Sequence, residues 1–168
     1  MRVLDWLKGG TRTNRNLEGL VETSITLGYE ADKWGTERIA LDGIQNHLPS
    51  DSKGTRVGVD FLVGGNWVPQ ASYQNGQVSA IRFSDDGKGY SHELLSVFHS
   101  TKKQDTDAVG HFGEGIKMLS AAALREGVDL ELRSRDWSAK PTAIDLQIEG
   151  EEIKKLAYQV AKKDKIGG

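Results

Sequence analysis

Apolar residues recur along this chain with two different periods, and the places where the period changes mark its elements. Over 21–29, Ile25 and Leu27 alternate with Thr26 and Gly28, which predicts a first strand. Thr36 then reads as an N-cap, and Ile39, Ala40, Ile44 and Leu48 follow at helical spacing until Pro49 closes the run. Val57, Val59 and Phe61 return to the strand period, ending at Gly64-Gly65. A hairpin signal at Asn75-Gly76 introduces a further strand through Val78, Ile81 and Phe83. Ser91 is placed to cap a short helix reaching Phe98. From Gly115 to Arg125 the chain is apolar on most faces of a helix, which predicts a buried one, with Gly127 as its stop. Two strands, 128–133 and 143–148, are predicted with a connection over 136–141. Ile153, Leu156, Ala157, Val160 and Ala161 match a last amphipathic helix. The opening 1–16 is polar and contains glycine, and is expected to be loosely tied. This order of elements predicts an α+β fold: a two-layer sandwich whose mixed, mostly antiparallel sheet carries helices on one face.

Length and composition narrow the class. A chain of 168 residues suits one compact domain, and neither repeats nor a Pro/Ser-rich linker divide it. The formal net charge of -2 does not demand a polyanionic partner, so nucleic acid is expected to be involved only indirectly. With no cysteine, disulfides, thiolate nucleophiles and Cys-ligated zinc are excluded together, and a reducing cytoplasm is the expected setting. No apolar run approaches the roughly 18 residues of a membrane span. The 20 glycines stand well above the ~7% of ordinary domains, while only 3 prolines accompany them. Linker composition does not explain that excess.

Three local patterns contain chemistry-bearing residues. On the first helix, Asp42-Gly43-Ile44-Gln45-Asn46 puts a carboxylate and a carboxamide one turn apart on one face. Such a pair suits a Mg²⁺ held by the amide oxygen beside a water oriented by the acid, though a plain polar stripe has the same pattern. Next, Asp85-Asp86-Gly87-Lys88-Gly89 follows a strand directly. An acid at a strand end can accept from an exocyclic amine, and alternate glycines let the backbone approach a ligand; a simple turn is the other reading. Third, Gly110-His111-Phe112-Gly113-Glu114-Gly115 opens the buried helix, where exposed amides and the helix dipole favour an anion. Its Gly-x-x-Gly-x-Gly spacing and the lack of a preceding strand exclude a dinucleotide fingerprint, and no Gly-Lys-Ser/Thr marks a Walker loop.

In combination and in this order, over roughly 36–135, the patterns resemble the ATP-binding domain shared by the gyrase B subunit, heat-shock chaperone ATPases, histidine kinases and MutL. This GHKL superfamily has the Bergerat fold. The resemblance implies that Asn46 binds the metal, that Asp85 reads the adenine amino group, and that Gly87 and Gly89 lie beneath the base. It implies further that the loop from Gly110 through His111, Phe112, Gly113 and Glu114 to Gly115 surrounds the phosphates. His99-Ser100-Thr101-Lys102 is similar to the lid start of MutL-like and topoisomerase-like members, adding Lys102 to the nucleotide contacts. The implied ligands are ATP or ADP and Mg²⁺, and the implied activity is slow ATP hydrolysis driving a conformational change. The alternative is a nucleotide-gated switch with little hydrolysis. Two departures bear on that choice. Asp42 stands where hydrolytic members have Glu as general base, shorter by one bond of about 1.5 Å. Those members also receive a Lys from a following domain, so this chain is expected to be part of a larger protein or a minimal version of the fold, with a protein partner or further domain unidentified.

Other residues attract less chemistry. The four histidines, His47, His92, His99 and His111, have no metal-ligand spacing. Lys88 and Lys117 lie near the candidate phosphate loops in sequence, but surface lysines are the ordinary expectation. Trp34, Trp67 and Trp137 suggest packing. The lysines 154, 155, 162, 163 and 165 read as one wet helix face.

Overall fold

The computed structural model describes residues 2–8, 19–45, 47, 56–97 and 112–162, with backbone alone at 2–8, 112 and 113. Eight strands form one antiparallel sheet: β1 (Arg2–Lys8), β2 (Leu20–Thr26), β3 (Val57–Val63), β4 (Asn66–Pro69), β5 (Val78–Asp85), β6 (Val128–Ser134), β7 (Trp137–Ile148) and β8 (Glu151–Lys162). Their spatial order is β2-β8-β7-β6-β1-β5-β3-β4. Two helices, α1 (Thr36–Gln45) and α2 (Phe112–Arg125), pack against one another and make the second layer. The architecture is the expected α+β sandwich, with every described strand pairing antiparallel.

The helix α2 anchors the core. Ile116, Met118, Leu119, Ala121, Ala122 and Ala123 are all buried, because the sheet covers one side of the helix and α1 with the 3-10 turn His92–Leu95 the other. An apolar surface all round is what that double burial requires. Gly127, at φ 66, ends the helix as expected, with its amide bonded to the Leu124 carbonyl. Leu130 and Leu132 of β6 and Leu156 and Tyr158 of β8 complete the apolar layer beneath it. At the start of α1 the Gly35 carbonyl takes the Arg38 amide, while the Thr36 hydroxyl donates to Glu126 at 3.3 Å. Thr36 is thus the first helical residue and ties the two helices together, rather than being the cap.

Three further expectations are corrected, and one strand is added. Within the opening segment, Arg2–Lys8 is not loose but an interior strand, paired with β5 and β6, with Asp5 in register between Arg82 and Glu131, while 9–16 lie outside the described residues. Its neighbours lie far along the chain, so no local pattern announces it. The predicted last helix is the strand β8. Glu149 and Gly150, with φ 52 and 85, make a two-residue turn of the kind that joins antiparallel strands, and β7 and β8 then pair without a break from Ile148↔Glu151 to Trp137↔Lys162. Leu156, Tyr158 and Val160 also fit a period of two, and the turn decides between the periods. Residues 137–142 are strand rather than connection, because the turn is confined to Arg135 and Asp136. The hairpin partner β4 follows Gly64-Gly65 without having been expected. Accordingly Lys154 and Lys155 lie on a strand, paired to Asp145 at 2.8 Å and Glu22 at 2.6 Å.

Candidate functional site

The first two sequence patterns meet at the C-terminal end of β5. What lets them meet is Gly43. It faces Phe83, and a Cβ there would stand 2.9 Å from the Phe83 ring. With no side chain in the way, α1 settles directly on β5. One helical turn beyond Gly43, just past the end of α1, His47 turns in the same direction. Its Nδ1 lies 2.6 Å from Asp85 Oδ2, its ring is stacked on Phe83, and both side chains are essentially sealed from solvent.

Asp85 and Asp86 part company at the strand end. Asp85 is 4% exposed and points into the layer between sheet and helices, its Oδ1 accepting the Gly87 amide at 2.9 Å. Asp86 is exposed and turned toward β3, accepting the Arg56 amide at 2.8 Å. The strand period alone separates the two faces.

The loop after Asp85 is fastened by the β6–β7 hairpin. The Tyr90 amide donates to Ser134 Oγ and the Tyr90 carbonyl accepts from the Trp137 indole, at 2.9 and 2.8 Å. Arg135 donates to the carbonyls of Lys88 and Gly89. Gly89 has φ 65, and a Cβ on it would come within 2.5 Å of Ser134 Oγ. Within the fold, then, Gly89 is required by the close approach of its loop to the β6–β7 hairpin. Lys88 is exposed, as expected of it.

Asp42 is 8% exposed and sits on α1, with Arg38 one turn away donating Nε to its Oδ2 at 3.3 Å. Arg38 in turn lies over the Trp34 ring. The carboxylate is therefore oriented by a cation from its own helix. Asn46 lies outside the described residues, as do His99, Lys102, Gly110 and His111 with the lid. Phe112 and Gly113 begin α2, Glu114 is exposed and Gly115 half-buried. Among the described residues no group of three His, Asp or Glu could hold a metal ion.

Two residues take roles the sequence did not suggest. Lys117 is buried, not at the surface. Its ammonium donates to the carbonyls of Val97 at 2.6 Å and Leu94 at 3.3 Å, at the C-terminal end of the 3-10 turn, and burial pushes it down to about 8. It thereby connects α2 to the segment entering the candidate lid. His47 is the other. The available signal was its spacing: it lies four residues after Gly43, whose missing side chain marks the face that touches β5. Of the tryptophans, Trp137 is buried, and Trp34 and Trp67 are half-buried beneath Arg38 and Arg82.

No family model, curated protein or solved structure matches this chain. Among the described residues no helix is long and apolar enough to cross a membrane.

Proposed function

We propose that this chain is a Mg-dependent ATP-binding module that hydrolyses ATP slowly, in the manner the GHKL resemblance implies. The observation supporting this most directly is the buried Asp85 at the end of β5, its Oδ1 accepting the Gly87 amide and its Oδ2 against His47, beside the helix that carries Asp42. A desolvated, oriented carboxylate is suited to accept from a purine amino group. The two motif helices share one layer over the sheet, so a ligand reaching Asp85 with its base would extend toward them.

In this reading Asn46 would hold Mg²⁺ through its amide oxygen, and the metal would supply charge neutralisation at the phosphates. The amides opening α2, with the preceding loop from Gly110, would receive the phosphates, aided by the helix dipole. Asp42 would accept a proton from the attacking water. Catalysis of this kind is mostly positioning and electrostatics. Mg-ATP titration followed by tryptophan fluorescence and melting temperature tests binding. Asp42→Asn is expected to keep the binding and lose turnover by about a hundredfold or more, read as phosphate release. Turnover equal to the parent removes Asp42 as the base.

A specific observation favours the second reading, a nucleotide-gated switch with little hydrolysis. Asp42 is the shorter acid, and its Oδ2 already accepts from Arg38 Nε at 3.3 Å on its own helix. Steady-state phosphate release, measured on the same preparation that binds nucleotide, separates the two.

A further inference from the structure

We infer that the far end of the β7–β8 hairpin is a self-association surface, where β7 pairs antiparallel with β7 of a second copy of this chain about a two-fold axis at Leu146. The inference does not depend on the nucleotide reading.

β7 outruns one of its neighbours. β6 pairs only with Trp137, Ser138 and Ala139, whereas β8 follows β7 as far as Ile148, so beyond Ala139 one side of β7 has no strand partner among the described residues. Leu156 and Tyr158 of β8 belong to the core under α2, and Ala143 and Pro141 opposite them share that side. Alternation then puts Ile144, Leu146 and Ile148, with Ile153 opposite Leu146, on the face that the helices leave open. Leu146 and Ile148 are 36% and 47% exposed and Ile144 and Ile153 half-buried, while the other face of this hairpin end carries the Asp145–Lys154 ion pair. The two-residue turn makes Ile148 and Glu151 a hydrogen-bonded pair. Ile148, Leu146 and Ile144 therefore turn their backbone groups to β8, and Gln147, Asp145 and Ala143 turn theirs outward. An apolar edge of this kind is a template for another strand.

Its sequence is complementary to itself. With Leu146 opposite Leu146 of the second copy, Ile144 of each chain meets Ile148 of the other on the open face, and Asp145 meets Gln147 on the opposite face. The outward-bonding residues then face one another, and no like charges do. The neighbouring registers are worse: one sets Asp145 against Asp145, and the other carries Ile144 against Gly150 in the turn. A two-fold pairing of this kind closes as a dimer. Asp85 and Ser134 both pair with Arg2, and Ser134 also pairs with Trp137, so β7 starts at the Asp85 end of the sheet and its edge runs away from it. The candidate nucleotide site stays open in both copies.

Sedimentation velocity of the full chain tests the association. A contact this small falls below that of a permanent dimer, so a dimer dissociating at roughly 10–100 µM is expected. Leu146→Lys, which places like charges on the axis and removes the central apolar pair, should raise that constant at least about tenfold, with the melting temperature of the dilute protein unchanged. Because the chain has no cysteine, single cysteines read the register. Leu146→Cys lies in a close non-hydrogen-bonded pair across the axis and should give a disulfide-linked dimer under mild oxidation, whereas Gln147→Cys should not. Ile144→Cys and Ile148→Cys should cross-link when mixed and neither by itself. A chain that stays monomeric throughout that range overturns the inference. So does a dimer that Leu146→Lys leaves intact, or one in which Gln147→Cys cross-links as fast as Leu146→Cys.

Discussion

Gly64 and Gly89 both adopt positive φ, 56 and 65, yet substitution should tell them apart. Around Gly64 nothing lies within 4 Å of an added Cβ, so Gly64→Ala should cost only the left-handed backbone, about 1 kcal/mol. At Gly89 the added carbon would meet Ser134 Oγ at 2.5 Å and Arg135 Cγ at 3.1 Å as well, in a loop fastened on both sides. Gly89→Ala should lose about 2–4 kcal/mol in urea unfolding, combining the backbone and overpacking costs. Gly43→Ala has two opposing terms. Alanine improves a helix interior by about 1 kcal/mol, while intrusion on Phe83 costs about 1–3 kcal/mol. Since the Phe83 ring is itself packed under His47, the steric term should win, and the variant should melt lower than the parent. The glycine excess that composition revealed thus has at least two separate causes. One is a turn; the other is the approach of a helix to a strand.

Between α2 and its neighbours, two buried titratable groups give stability a pH signature with opposite slopes. Burial moves Lys117 from 10.5 down to about 8. Between those values the unfolded chain holds a proton that the folded chain has released, so stability should rise with pH across that window and be flat below it. Tyr158 is displaced the other way. Burial raises its phenol far above the usual 10.0, opposed by its hydrogen bond with Ser120, and the charge of Tyr90 adds a smaller push in the same direction as burial. Its proton is kept in the fold and lost from the unfolded chain above 10.0, so stability should fall beyond that point. Denaturant unfolding from pH 7 to 11 should climb from about 8 and turn over above 10. Lys117→Met should flatten the climb and Tyr158→Phe the fall. At neutral pH, Tyr158→Phe should also cost about 0.5–1.5 kcal/mol, since its hydroxyl donates to Ser120 Oγ at 3.0 Å within the core.

On the scale of the whole molecule, Arg125 ties the end of α2 to the connection between β2 and α1. Its guanidinium donates to the Leu27 carbonyl at 2.7 Å and the Trp34 carbonyl at 3.0 Å, nearly a hundred residues earlier in the chain. Arg125→Met keeps an unbranched apolar stem and removes both charged donors, so about 2–4 kcal/mol of stability should be lost, with faster hydrogen exchange concentrated at 27–35. At the other edge of that connection, β2 joins β8 through an irregular ladder. There the Thr23 hydroxyl donates to the Leu156 carbonyl at 2.8 Å and accepts the Ile25 amide at 3.1 Å. The side chain thus supplies the bonds that the broken register leaves out.

The sequence by itself determined the elements whose burial is one-sided or complete over a short stretch. The buried α2 with its glycine stop, the strand before Gly64-Gly65 and the strand through Val78, Ile81 and Phe83 all follow from patterns within a dozen or so residues. So does the order of the three candidate motifs. Tertiary structure decided what local periodicity leaves ambiguous. Apolar positions in 151–162 fit two periods, and only pairing with β7 through the Glu149-Gly150 turn selects the strand. The seven residues of β1 become a strand because β5 and β6, distant in the chain, offer hydrogen bonds on both sides. His47 and Asp85 are separated by 38 residues, and their contact exists because Gly43 lets a helix lie on Phe83. Hydrophobic patterning acts over one or two turns of chain; hydrogen-bond pairing and close packing act wherever the fold brings surfaces together.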